Sequence, residues 1–362
     1  MINKLKIKGY KSIKSLELEL SPINVLIGAN GVGKSNFISF FKLLNVIYEQ
    51  RLSNYSLTEG ADNLLHFGRR VTKFLDAYIE FDETNAYGFK LQASNDNKLF
   101  INQEDTFYNK SEVGLSDVNN DNWVKETINL DNAESNVNSL GSNLWINKYL
   151  NSFKIYHFHD TSANAPLRSS CQLNDNVYLK ENGGNLPAFL YYLQEREPKS
   201  FQKIERVVKS IAPFFERFDL KPDRLNPTRI TLEWTELNHP DNYFTATHLS
   251  DGTIRFIALA TLLLQPNLPK TIIIDEPELG LHPVAINKLA GLIKKASAIS
   301  QIIISTQSIN LVDNFEPEDI ITVDRDSGQS VFRRLDGDNL KDWIKEYSMG
   351  DLWAKSVIGG RP

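Results

Sequence analysis

Eight consecutive residues, Gly28-Ala29-Asn30-Gly31-Val32-Gly33-Lys34-Ser35, constrain this chain more than any others. An apolar run, Ile23 to Ile27, precedes them, and Asn36-Phe37-Ile38-Ser39-Phe40-Phe41 opens a helical pattern behind them. Strand, glycine-rich turn and helix in that order make a phosphate-binding loop. Gly28 and Gly33 let the backbone wrap an anion, and the helix start offers unpaired N–H groups and the positive end of its dipole. Asn30, Gly31, Val32, Gly33, Lys34 and Ser35 are therefore the expected nucleotide contacts. Lys34 is the cation for the β- and γ-phosphates, and the Ser35 hydroxyl is a ligand for Mg²⁺, so ATP with Mg²⁺ is the expected occupant.

Composition limits the rest. With 362 residues, 41% of them hydrophobic, the chain can bury a sizeable core as one large domain or two. A formal net charge of −5 argues against a uniformly basic nucleic-acid binder but leaves room for a local basic patch. The single cysteine, Cys171, excludes an intramolecular disulfide and a cysteine zinc cluster. The longest apolar stretch, Phe256 to Leu264, is too short to span a bilayer, and the N-terminus alternates like a strand. The expectation is a soluble, cytoplasmic protein without membrane contact.

Alternation predicts strands at Leu5 to Tyr10 and Leu16 to Leu20, then a helix from about Asn36 to Glu49, a loop from Ser53 to Asp62, and strands at Phe74 to Phe81 and Gly88 to Leu91. Residues 1–92 thus read as the phosphate loop with a β-rich lobe. From 93 to 148 the chain is crowded with Asn, Asp and Ser, and it reads as a polar insertion of surface loops outside the core. Residues 149–248 read as a central strand near Phe153 to Phe158 and a helical lobe, with helices at Leu186 to Leu193 and Phe201 to Ile211, a strand at Ile230 to Trp234 and a polar turn at Asn238-His239-Pro240-Asp241. Residues 249–323 alternate helix and buried strand, which implies a parallel sheet, and 324–362 form a C-terminal tail.

Thr271-Ile272-Ile273-Ile274-Asp275-Glu276 is an apolar strand ending in two carboxylates, the Walker B arrangement. Asp275 at the strand tip suits the Mg²⁺ shell, and Glu276 suits the orientation and deprotonation of attacking water. About twenty residues earlier, Leu249-Ser250-Asp251-Gly252-Thr253 stands before a helix, with Ser250 as N-cap and Gly252 allowing close backbone approach. This segment resembles the ABC signature, usually Leu-Ser-Gly-Gly-Gln, with Asp251 and Thr253 as departures. In that family the signature meets ATP held by the opposite subunit, so the resemblance implies a composite site in a head-to-tail homodimer.

Pro277-Glu278-Leu279-Gly280-Leu281-His282-Pro283 resembles the D-loop region of the SMC, RecF and OLD group of ABC-type ATPases, which act on chromosomes or in phage defence. Ile7-Lys8-Gly9-Tyr10-Lys11-Ser12-Ile13 is similar to the opening of the same group, and the resemblance makes Lys11 and Ser12 nucleotide contacts. Transporter ATPases lack that opening. With the His157-Phe158-His159-Asp160 strand end and the tail from Gly350 to Pro362, the chain resembles the compact AAA-family ATPases of bacteria within this group, without long coiled coil or TOPRIM domain. The fold implied is an α/β P-loop ATPase head of ABC type, with a flanking β-lobe and a helical signature lobe.

Where the wider group carries a switch histidine, this chain has Gln307. Its amide can donate a hydrogen bond but cannot carry charge or shuttle a proton, so slow hydrolysis is expected. His159 or Asp160 stands where related proteins place a sensing glutamine, and Gly68-Arg69-Arg70 reads either as a phosphate-facing arginine turn or as a solvated basic turn. Asp324 and Asp326 could suggest a nuclease acid pair, but Ser327-Gly328 beside them reads as a hairpin turn. Trp343, Tyr347 and Trp353 are either a docking surface or core packing. The expected role is an ATP-gated switch in DNA maintenance or phage defence, with DNA as a candidate target and a separately encoded nuclease or other effector. The alternative is an assembly module that ATP stabilises with negligible turnover, and a transporter ATPase is disfavoured by the N-terminal segment.

Overall fold

A computed structural model describes residues 1–109, 123–139, 144–237 and 239–361. The chain divides into two compact units, Met1–Phe153 with Glu316–Pro362, and Lys154–Phe315.

The first unit begins with β1 (Ile2–Tyr10), β2 (Ile13–Glu19) and β3 (Ile23–Ile27), followed by helices α1 (Lys34–Tyr48), α2 (Leu52–Glu59) and α3 (Ala61–Leu64). Strands β4 (Phe74–Phe81), β5 (Asn85–Ala93), β6 (Leu99–Asn109) and β7 (Trp123–Asn132) and helix α4 (Leu144–Leu150) come next. An antiparallel sheet runs in the order β2-β1-β4-β5-β6-β7. In β1 the alternation places Leu5 and Ile7 in the core, while Lys4 and Lys6 on the other face pair with Glu17. Helix α1 is held by rings. Phe40 lies edge-on to Tyr10 at 5.6 Å and stacks on Phe89 at 6.3 Å, while Phe41 meets Phe153 at 5.6 Å. All of these phenylalanines are at most 3% exposed, so the helix start is anchored by apolar burial one to two turns away.

Two expectations are corrected here. Ser53 to Asp62 is not a loop: α2 and α3 occupy it, and the Glu134 carboxylate accepts the Leu52 and Ser53 N–H groups at 2.8 and 2.9 Å. That cap comes from a residue far along the chain, which local sequence cannot reveal. The polar stretch 93–148 is not loop throughout either, because β6 and β7 cross it. Its polar residues are partly internal. Glu104, fully buried, accepts from the Tyr87 hydroxyl at 2.6 Å, from Asn129 at 3.2 Å and from the Asn136 N–H at 3.0 Å. A satisfied polar network substitutes for the apolar alternation by which a strand is normally recognised. Residues 110–122 and 140–143 of that stretch lie outside the described residues, as do Asn238 of the expected turn and Pro362 of the tail; His239 of the same turn already belongs to a strand.

The second unit holds β8 (Phe153–Tyr156), β9 (Cys171–Gln172), α5 (Leu186–Arg196), α6 (Pro198–Ile211), β10 (Phe215–Phe218), β11 (Arg229–Ile230), β12 (Glu233–Glu236) and β13 (His239–Thr245). It continues through α7 (Asp251–Leu264), β14 (Thr271–Asp275), α8 (Pro283–Ala296), β15 (Gln301–Thr306) and α9 (Ile309–Val312). β14 and β15 pair in parallel with Asp275 opposite Ser305, and their isoleucines are at most 1% exposed, as expected of parallel strands covered on both faces.

The chain then returns to the first unit with β16 (Ile320–Asp326), β17 (Gln329–Arg334), α10 (Gly337–Leu340) and α11 (Met349–Ala354). β16 runs parallel to β3 and turns back into β17 through Ser327 and Gly328, both at positive φ, which is the hairpin the sequence predicts.

Candidate nucleotide-binding site

Gly28 to Ser35 leave the C-terminal end of β3 and enter α1 at Lys34. Two glycines are required by their surroundings. A Cβ on Gly28 would stand 2.4 Å from the Val323 carbonyl oxygen, and one on Gly33 would stand 2.0 Å from the Ser330 hydroxyl, with φ of 153° and 119°. Gly33 also begins α1 with no side-chain cap, so no side chain at the N-cap takes up the first N–H groups of the helix. Lys34 is buried, and its ammonium donates to the Gly28 carbonyl and, at 2.9 Å, to that of Ala29. Ser35 is exposed and makes no hydrogen bond through its hydroxyl among the described residues, as a metal ligand requires. Arg325 donates to the Gly31 carbonyl at 3.2 Å, and Ser330 to that of Val32.

Lys11 and Ser12 form the turn between β1 and β2. Ser12 accepts from Asn36 of α1 and from Ser330 of β17, each at 2.7 Å, so it ties three segments around the loop. Lys11 sits at φ 46°, with its N–H on Leu64 and its ammonium 3.2 Å from the Ser39 hydroxyl. Burial lowers its ammonium below the usual lysine range, and Glu59 partly opposes this. Both residues line an open cleft of ≈ 910 Å³ with Asn36, Arg70 and Arg325. Arg69 of the basic turn is committed to Asp62, Ser94 and Asn97, whereas Arg70 is exposed.

In the second unit Asp275 ends β14 and its Oδ1 accepts the Ser305 hydroxyl. Its Oδ2 makes no hydrogen bond among the described residues, leaving an oxygen for a cation. Glu276 adopts φ 42°, a left-handed conformation that costs a non-glycine residue about 1 kcal/mol or more. Its N–H donates to Ser305 at 3.0 Å, and its Oε1 accepts the side-chain amide of Gln307. The switch position and the expected base are thus hydrogen-bonded partners.

Ser250 caps α7 by accepting the Thr253 N–H at 3.2 Å. The close approach that Gly252 permits is to the D-loop: a Cβ there would stand 2.3 Å from the Gly280 carbonyl oxygen. Asp251 pairs with Arg168 at 2.8 Å, and that guanidinium holds its carboxyl below the usual range. Sequence reasoning missed Arg255. Buried in α7, it donates to the carbonyls of Phe158 at 2.8 Å, His159 at 2.9 Å and Leu279. It therefore joins the signature helix, the strand end after β8 and the D-loop. Its place one residue past Ile254 in an apolar helix is the signal that was available, since a buried arginine needs several acceptors.

The His159 ring bonds the Asp275 carbonyl at 2.7 Å, while Asp160 accepts from Ser162. Among the described residues no group of three or more His, Cys, Asp or Glu is arranged to hold a metal. Asp324 takes the Gly360 N–H on both oxygens, Trp353 is fully buried, and Trp343 is 47% exposed. No helix among the described residues is long and apolar enough to cross a membrane.

The chain is 23% identical over 372 residues to the Old nuclease of Escherichia phage P2, covering 95% of this chain and 62% of that protein's length. Among solved structures, an SMC head bound to the C-terminal winged-helix domain of ScpA superposes with a TM-score of 0.62 at 17% identity, covering 95% of this chain and 99% of that one. An SMC head with an extended coiled coil, bound to the C-terminal domain of ScpA derived from Pyrococcus furiosus, gives 0.56 at 15%, covering 95% and 98%. The two solved structures show the fold, an α/β P-loop ATPase head of ABC type. The model of the family described as "AAA domain, putative AbiEii toxin, Type IV TA system" matches residues 23–313, from β3 and the phosphate loop through Walker B and the switch segment, and the chain belongs to that family.

Proposed function

We propose that this chain binds ATP with Mg²⁺ on Gly28 to Ser35 and hydrolyses it slowly, with residues 1–362 acting as one ATPase head. The observation that carries the reading is the phosphate loop: an uncapped α1 start, a buried Lys34 bonded back to its own loop, and an exposed, unpaired Ser35 hydroxyl. Ser35 and Asp275 would hold Mg²⁺, which neutralises phosphate charge when bound. Lys34 exchanges its loop carbonyls for phosphate oxygens. Glu276 accepts the proton of the attacking water, and the Gln307 amide fixes the rotation of that carboxylate through its hydrogen bond. Gln307 cannot relay a proton, so turnover is slow.

ATP closes two copies head to tail, with Ser250 and the start of α7 facing the nucleotide of the partner copy, and hydrolysis releases them. The role we infer is in DNA maintenance or phage defence beside a separate effector, and the likeness to the Old nuclease supports its DNA-directed part. An ATP-stabilised assembly with negligible turnover is the second reading, favoured by the uncharged Gln307.

Lys34→Ala should abolish ATP binding measured by calorimetry. Glu276→Gln should keep binding while phosphate release falls on the order of 100-fold. Undiminished turnover by purified Glu276→Gln would overturn the assignment of the base.

A further inference from the structure

Glu278 follows Glu276 by two residues, in the turn that leaves β14. Its side chain is 9% exposed, an expensive place for a carboxyl unless something there needs it. One oxygen is heavily used. Oε1 accepts the Thr306 hydroxyl at 2.6 Å and the Gln307 backbone N–H at 3.1 Å, both at the end of β15. Oε2 is buried and has no hydrogen-bond partner among the described residues. Burial pushes the carboxyl above its usual range, and the Thr306 hydroxyl and two backbone N–H groups pull the other way.

The bonds continue in one direction. Thr306 accepts the Ser308 N–H at 3.0 Å through the hydroxyl that it donates to Glu278, and Ser308 caps α9. Gln307, whose backbone Glu278 holds, donates its side-chain amide to the Oε1 of Glu276. Glu276 itself stands at a φ that the local backbone does not favour, so its carboxylate depends on surrounding contacts for its direction. Glu278 touches neither the proposed nucleotide contacts nor Glu276 by hydrogen bond. It grips the segment that does.

We propose that Glu278 is a positioning residue, which locks Thr306 and Gln307 so that the Gln307 amide holds Glu276 in the orientation for water activation. The proposal rests on the hydrolysis reading above and adds a rate-setting residue outside the first ring of contacts. A residue that merely fills space there would change stability and leave the Gln307–Glu276 coupling alone. Displacement of a catalytic group by an ångström is enough to slow a reaction by about 100-fold, so loss of this grip should be visible in kcat.

The test compares turnover, ATP affinity and thermal stability across five variants, with Glu276→Gln as control. Glu278→Gln keeps an oxygen acceptor of the same reach and should retain turnover within about threefold of wild type. Glu278→Ala should lower kcat about tenfold or more with ATP affinity unchanged, and Glu278→Asp, which keeps the charge but shortens the reach, should fall between and replaces it if the alanine variant does not fold. Glu278→Ala combined with Gln307→Ala should be no slower than Gln307→Ala alone, because both act on one contact. Wild-type turnover in folded Glu278→Ala or Glu278→Asp, or a fully multiplicative loss in the double variant, would overturn the proposal while leaving hydrolysis intact. If Glu276→Gln itself turns over normally, the hydrolysis reading falls first and this proposal with it.

Discussion

At the phosphate loop, functional atoms are backbone atoms, and their placement is enforced by what cannot fit. The Val323 carbonyl stands where a Gly28 Cβ would be, and the Ser330 hydroxyl where a Gly33 Cβ would be. At the acidic turn after β14, functional atoms are carboxylate oxygens, and their placement is enforced by what reaches them: Ser305 for Asp275, Gln307 for Glu276, Thr306 for Glu278. The first arrangement is steric and tolerates no added atom. The second is a set of hydrogen bonds, each replaceable by an isostere. Glycine substitutions should therefore fail abruptly in one region, and polar substitutions should fail by degrees in the other.

The largest effect is expected at Gly28. Gly28→Ala must move a backbone carbonyl in β16 and hold alanine at φ 153°, which together cost about 4 kcal/mol, read as a drop in thermal midpoint with loss of ATP binding. Gly31→Ala is the control, since nothing lies within 4 Å of its Cβ and only its φ of 78° opposes it, at about 1 kcal/mol. Equal losses at the two positions would show that steric exclusion is not what shapes the loop.

Next comes Arg255→Ala, which leaves the carbonyls of Phe158, His159 and Leu279 without their donor and should cost about 3 kcal/mol in chemical denaturation. Arg255→Lys cannot span three acceptors and should recover less than half of that loss. Full rescue by lysine would mean that one bond, and not the three-way clamp, matters.

The smallest effect belongs to the exposed partner of Arg168. The folded carboxyl of Asp251 lies below its unfolded value, so its contribution is present above about pH 4 and is lost as pH falls through the folded value. Asp251→Asn should lower the thermal midpoint slightly at neutral pH, and the difference from wild type should vanish once the pH has fallen far enough to protonate the folded carboxyl. A difference that persists at low pH would assign the effect to the α7 start and not to the ion pair.

Legibility follows the same division. The phosphate loop, Walker B strand, signature cap and Ser327-Gly328 hairpin could be read because each is local: backbone conformation and residue type within a few positions decide them. The β6 and β7 strands could not, because Glu104 finds Tyr87, Asn129 and Asn136 only after distant segments pair. Arg255 and Glu278 escaped notice for the same reason, since their partners lie from 24 to 97 residues away.

The sequence by itself determined that this chain has a glycine-rich loop between strand and helix, a strand ending in two acids and a helix capped by Ser250, because glycine freedom, strand alternation and N-cap chemistry act over one turn or one strand. Tertiary structure decided that Gly252 meets Gly280, that Gln307 meets Glu276 and that Glu278 grips the segment between them. Those contacts are set by which carbonyls, carboxylates and amides come within reach once the elements pack, an approach that no spacing along the chain encodes.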